Sequence, residues 1–202
     1  VSDEPEDRSA EHAVLMRRLP DGRDALALLE AGRLEADQLE RVACLLARFH
    51  AQVGLGRPAP WTEKAWRERI SKPIFDCLDV LADSSSDEVE RLERLRFSVR
   101  DVCDRLQPAF ERRRLEGRAV EGHGDLHLDH VWFETDVSQP LLVDCLEFDP
   151  ELRRVDRASE VAFLAMVLAY RGADTLAEMF LSTYARETDD SRRDEETASE
   201  PP

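Results

Sequence analysis

Gly122-His123-Gly124-Asp125-Leu126-His127-Leu128-Asp129-His130-Val131-Trp132-Phe133 is the stretch on which the reading of this chain turns. It gathers three of the chain's five histidines, and two aspartates, between short apolar runs. Ala119-Val120 before it reads as extended, and Val131-Trp132-Phe133 reads as a strand. A turn through Asp136 to Pro140 leads into Leu141-Leu142-Val143, a second strand that ends in Asp144. Two short strands joined by turn residues predict a hairpin. Gly122 and Gly124 open the polar loop that leads into it.

Outward from this loop the pattern is helical. Asp24 is placed to cap a short helix, Ala25 to Glu30, which Gly32 ends. From Glu35 to Val53, Leu39, Val42, Ala43, Leu46 and Phe49 recur at three and four, the mark of an amphipathic helix. Thr62 caps a third segment with Trp66, Ile70, Ile74 and Leu78 at helical spacing, which Pro73 is expected to bend or divide. Ser84 to Asp87 reads as a break. Glu88 to Glu116 reads as one long charged helix with Leu92, Leu95, Val99, Val102, Leu106 and Phe110 turned inward and a kink expected at Pro108. Val155 to Tyr170 is apolar nearly all round from Val161 onward, so it is expected at the centre of the core. A last helix runs from about Thr175 to Tyr184. Ala13 to Met16 reads as a further short strand, with a turn at Pro20-Asp21-Gly22. The fold class expected is α+β, mostly α-helical, with one small hairpin carrying the polar loop. One domain spans residues 11–186, between an acidic tail at 1–10 and a charged tail at 187–202, both expected to be disordered.

The chain has 202 residues and a formal net charge of −16. That charge argues against a general nucleic-acid or anionic-membrane binder, because phosphates would be repelled; it would suit a cationic partner. No apolar run reaches the length of a membrane span, and no basic-then-apolar leader opens the chain. Cys44, Cys77, Cys103 and Cys145 are scattered without CxxC spacing. Three fall in helical patterns and one in an apolar strand, so they read as buried free thiols in a cytoplasmic protein.

The polar loop has a spacing that suits phosphoryl transfer. That chemistry needs a carboxylate near the acceptor hydroxyl and hard oxygen ligands that hold Mg2+ on the phosphates. Asp125 occupies a base position, His130 stands five residues on, and Asp144 closes an apolar strand further along.

His123-Gly124-Asp125-Leu126-His127 followed by Val143-Asp144 resembles the signature of aminoglycoside phosphotransferases and their small-molecule kinase relatives. Within these, the chain looks most like the bifunctional aminoglycoside phosphotransferase/ATP-binding proteins. The residues behind that are Gly122 to Leu128, Asp144-Cys145-Leu146-Glu147-Phe148, and Asp156-Arg157-Ala158-Ser159-Glu160-Val161-Ala162-Phe163-Leu164-Ala165-Met166. Ala13 to Pro20 is similar to that group's segment joining two lobes. The resemblance covers roughly residues 11 to 186.

It implies the C-terminal lobe of a protein-kinase-like fold, with ATP and Mg2+ as cofactors and a small-molecule hydroxyl as acceptor. By position it implies Asp125 as catalytic base, His123 bracing the loop and His127 supporting the base. Asp144 would bind the metal, with His130 and Glu147 as further metal ligands; His130 and Met16 would also contact the nucleotide. Asp156 would anchor backbone near the loop, with Glu160 close by on the same helix.

Three features depart from that pattern. His130 stands where most relatives have Asn, and imidazole is a poor partner for Mg2+. Lys64 and Lys72, the two lysines, lie in a helical segment, so neither fits the phosphate-contacting lysine of a nucleotide lobe. No GxxxxGK[ST] occurs, although the bifunctional group continues into a P-loop domain. The expectation is therefore a catalytic half, completed by association with an N-terminal lobe or a P-loop domain. Two other readings stay open. One is a kinase-like remnant that binds without catalysis. The other is a zinc metallohydrolase, since Asp125-Leu126-His127-Leu128-Asp129-His130 comes within one residue of HxHxDH.

Overall fold

The computed structural model describes Leu15 and residues 17–84, 89–134 and 139–188. The strand expected at Ala13 to Met16, the tail at 1–10 and nearly all of the tail at 187–202 lie outside the described residues. Over the described residues the fold is α+β and mostly helical. In chain order it runs α1 (Ala25–Glu30), α2 (Ala36–Gln52), α3 (Glu63–Ser84), α4 (Val89–Arg105), α5 (Gln107–Leu115), β1 (Ala119–Glu121), β2 (Val131–Trp132), β3 (Leu141–Leu142), α6 (Pro150–Arg153), β4 (Arg154–Asp156), α7 (Arg157–Tyr170) and α8 (Asp174–Thr188).

Helix α2 shows why the chain folds this way. Glu35 and Gln38 close a capping box at its start, which satisfies amides that would otherwise be orphaned. Leu39, Val42, Ala43, Leu46, Ala47 and His50 are its buried residues, one continuous face. Against that face lies α8, whose buried residues are Ala177, Phe180, Thr183 and Tyr184. Val161, Leu164, Ala165 and Leu168 of α7 complete the same core, with Leu126, Leu128 and Val131 from the loop. Each fully buried Leu or Phe contributes about 1.5–3 kcal/mol of transfer free energy. A smaller cluster centres on Trp66, whose indole N–H donates to the Phe110 carbonyl at 3.0 Å.

Two antiparallel strand pairs frame the loop. Val131 pairs with Leu142 and Trp132 with Leu141, which is the expected hairpin, shorter than the apolar runs suggest. The other pair sets Ala119 opposite Asp156 and Glu121 opposite Arg154. This second pairing corrects the start of the apolar helix: Val155 belongs to β4, and α7 begins at Arg157. Asp24 caps α1 by accepting from the Ala27 amide at 2.8 Å, as its type and position predict.

Other expectations are corrected. Pro73 lies inside an undivided α3. The stretch expected as one helix over Glu88 to Glu116 is two, α4 and α5, meeting at Leu106 with Pro108 in the first turn of α5, where a missing N–H costs nothing. Leu95, Val102 and Leu106 are exposed rather than inward-facing. Helix α7 is buried on one face, while Met166 and Tyr170 on the other are exposed. Helix α8 continues to Thr188, so the chain is still helical where the tail was expected to begin. The four cysteines are free, but Cys103 alone among them is buried; Cys145 is exposed in a loop after β3. Among the described residues no helix is long and apolar enough to cross a membrane.

Candidate functional site

The loop from Gly122 to His130 is pinned by its alternate side chains. Leu126 and Leu128 enter the core, while the alternating Asp125 and His127 stay partly exposed. A single tight turn at Leu128–His130 then delivers the chain into β2. The far side of the loop is tied to the strand return. His123, itself buried, donates Nε2–H to the Val143 carbonyl at 2.8 Å, and its own carbonyl accepts from the Leu146 amide at 3.1 Å. With Nε2 protonated, Nδ1 is left as an acceptor facing the Asp125 amide at 3.4 Å. His123 therefore ties the loop to the strand return.

Asp125 and Asp144 stand at the two ends of His130. The His130 Nδ1–H donates to the Asp125 carbonyl at 2.7 Å. This directs Nε2 the other way, toward Asp144 Oδ2 at 3.6 Å, beyond hydrogen-bond length. His127 Nε2 lies 2.9 Å from Asp125 Oδ1, and its ring rests edge-on against Phe163 at 4.9 Å. One carboxylate oxygen of Asp125 is thus engaged by His127.

Asp144 is the single non-glycine residue with positive φ among the described residues, at φ 59°. Aspartate enters this left-handed region more readily than most residues, yet at a cost. Its side chain is 83% exposed, so burial does not compensate. This strained carboxylate stands beside the Nε2 of His130.

Behind the loop lies a buried polar chain. Glu160 is 5% exposed, in the first turn of α7 just before its apolar run begins at Val161. Its Oε1 accepts from the Gly124 amide at 2.8 Å, and its Oε2 lies 2.6 Å from His50 Nε2. His50 Nδ1 meets the Tyr184 hydroxyl at 2.7 Å. Burial pushes the Glu160 carboxyl up, but the hydrogen bond from His50, the Gly124 amide, the charge of His50 and the His123 amide outweigh it and hold the group below the ordinary carboxylate value. Gly122 makes room for this chain: a Cβ there would sit 2.6 Å from both Glu160 carboxylate oxygens. At Gly124, φ is +81° and the backbone passes against Arg153 and Leu146.

The remaining expected residues fall as follows. Asp156 is a buried anchor, but its partners differ from those expected. It takes a bidentate pair from Arg113 at 2.8 and 2.7 Å and caps α7 at the Ala158 amide. The carboxylate that bonds the loop backbone is that of Glu160. Glu147 is exposed on the loop after Asp144, with its charge acting on Arg153. Met16 lies outside the described residues. Lys64 and Lys72 are in-helix partners of Glu68 and Asp76 on α3. Among the described residues no three His, Cys, Asp or Glu side chains converge on one point. His130 and Asp144 form a pair, and Asp129 is exposed with its carbonyl taken by the Trp132 indole at 2.9 Å.

No family model matches the chain. No solved structure matches it either. The chain is similar to uncharacterized proteins of Mycobacterium tuberculosis, strains H37Rv and CDC 1551, and of Mycobacterium bovis. Each is 32% identical over 194 residues, an alignment that takes in 93% of this chain. The chain spans 37% of the length of these curated relatives.

Proposed function

We propose that this chain carries the catalytic-loop half of a kinase-like phosphotransferase that moves the ATP γ-phosphate to a hydroxyl of a small molecule. The observation that carries the reading is the span of His130. One imidazole ties the Asp125 backbone at one nitrogen and turns the other nitrogen to Asp144, so a single ring links the loop to the residue that follows the hairpin's return strand.

In this reading the acceptor hydroxyl oxygen forms a bond to the γ-phosphorus. The bond from that phosphorus to the β,γ-bridging oxygen breaks, ADP leaves, and the hydroxyl proton passes to Asp125. His127 engages Oδ1 of Asp125 and leaves Oδ2 for the acceptor. His123 and Glu160 hold the loop backbone on which Asp125 is mounted.

The residues fit a magnesium ion modestly. Asp144 offers an exposed carboxylate, and Mg2+ is commonly held by one or two carboxylates with substrate phosphates and waters. His130 would stand beside it as a nitrogen neighbour, directly or through water. When bound, Mg2+ supplies charge neutralisation on the phosphate oxygens. Neither lysine is placed as a phosphate clamp, so the nucleotide contacts are assigned to a further part of the longer protein or to an associated domain.

Calorimetry with Mg·ATP and transfer of labelled γ-phosphate to a panel of alcohols test the reading. Binding that is lost in Asp144→Ala, and transfer that is lost in Asp125→Asn, are the expected results. Transfer that persists in Asp125→Asn would overturn it.

A further inference from the structure

Beside the catalytic loop, α3 and α7 enclose a groove of about 620 Å³. That is within the range of small-molecule sites. It reaches the loop on both sides of Asp125, at Gly124 and Leu126. Phe163 forms part of its wall and also touches the ring of His127, the residue that engages Asp125. The walls are mainly apolar, with Ile70, Ile74, Leu152 and Met166 among them, and Ile74, Leu152 and Met166 are exposed at its open side.

The charges in the groove are uneven. Its two acidic members, Asp156 and Glu160, are both buried and already engaged, by Arg113 and by His50. Its two basic members, Arg69 and Arg154, share one carboxylate, that of Glu151. The Nε of Arg154 is buried with no hydrogen-bond partner. The Arg154 side chain as a whole is 39% exposed, against 22% for Arg69, so its guanidinium is the more open charge of the two. A polycation has no free carboxylate to meet there.

We infer that this groove takes the acceptor, and that the acceptor is an alcohol with an apolar body and an anionic end, the anion toward Arg154 and Arg69 and the hydroxyl toward the loop. The inference rests on the phosphotransferase reading for the word acceptor; the groove's preference does not. It departs from the cationic partner that the net charge suggests, because the local charge decides a small site.

The test measures binding of ω-hydroxydecanoate to the 202-residue chain by calorimetry without nucleotide. Decan-1-ol, ω-aminodecanol and the aminoglycoside kanamycin are compared with it. Ala162→Trp fills the groove from an exposed position on α7, and Arg154→Met removes the charge while keeping apolar volume; circular dichroism verifies that both variants fold. The expected results are binding by ω-hydroxydecanoate, a loss of about tenfold or more in Ala162→Trp, and a similar loss in Arg154→Met that decan-1-ol does not show. No binding, equal binding by Ala162→Trp, or tighter binding of kanamycin or ω-aminodecanol would overturn the inference. If ω-hydroxydecanoate binds in the groove but is never phosphorylated when Mg·ATP and the nucleotide-contacting part are both supplied, the phosphotransferase reading fails and the groove's preference stands.

Discussion

His50 Nε2 sits 2.6 Å from Glu160 Oε2, and both side chains are out of solvent. Because the other Glu160 oxygen holds the Gly124 amide, a histidine on α2 sets the backbone of a loop far from it in sequence. Removing one partner of a buried pair strands the other. His50→Leu is expected to cost about 3–5 kcal/mol in urea unfolding, and His50→Leu with Glu160→Gln to recover part of that loss.

The same pair sets an acid dependence. The folded state holds the Glu160 carboxyl below its ordinary value of 4.5. A lowered carboxyl pKa contributes stability that is fully present above the unfolded value and is lost as pH falls through the folded one. Wild type is therefore expected to lose stability below about pH 4.5 more steeply than Glu160→Gln, whose amide does not titrate. Parallel acid titrations of both proteins by circular dichroism make the comparison.

Asp125 is only partly buried, with its side chain 42% exposed and one carboxylate oxygen engaged by His127. Asp125→Asn is expected to leave the melting temperature nearly unchanged and to lower phosphoryl transfer by about 10²–10⁴-fold, the range of a lost general base. A matched loss of stability would instead mark the residue as structural.

Asp144 combines positive φ with high exposure. Glycine carries no penalty in that region, so Asp144→Gly is expected to stabilise the fold by up to about 1 kcal/mol. The same substitution is expected to abolish Mg·ATP binding. Opposite signs in the melting curve and the binding isotherm would show strain retained for use.

At Gly122 there is no room for a methyl group, since the Glu160 carboxylate fills the space. Gly122→Ala is expected to destabilise by about 1–3 kcal/mol through displacement of that carboxylate. Hydrogen exchange at the Gly124 amide reads the displacement directly.

Much of the site was legible because its residues are close in sequence. The hairpin follows from two short apolar runs joined by turn residues, while the brace at His123 was implied by the resemblance. The His50 to Glu160 link was not read, although its signal is present. His50 continues the buried stripe of Leu39, Val42 and Leu46 at the next helical step, and Glu160 stands one helical turn before Leu164, on the buried face of α7. A polar residue on each of two core faces calls for a shared partner. Which residue partners which depends on tertiary packing. The pairing of β1 with β4 escaped for the same reason: Val155 suits a strand or a helix, and only the distant Val120 decides. Exposure of Leu95 and Leu106 was hidden because periodicity marks an apolar face without saying whether anything covers it.

The Tyr184 hydroxyl closes the chain through His50 to Glu160 and the loop. The order of synthesis gives this contact a consequence. Chains fold as they emerge, N-terminal parts first. The loop is complete at His130, but the helix that seats its brace comes last. On the ribosome His50 would wait for its hydroxyl partner until α8 has been made, and a transcript cut short before Tyr184 would yield a chain with every loop residue present and the far end of this polar chain missing.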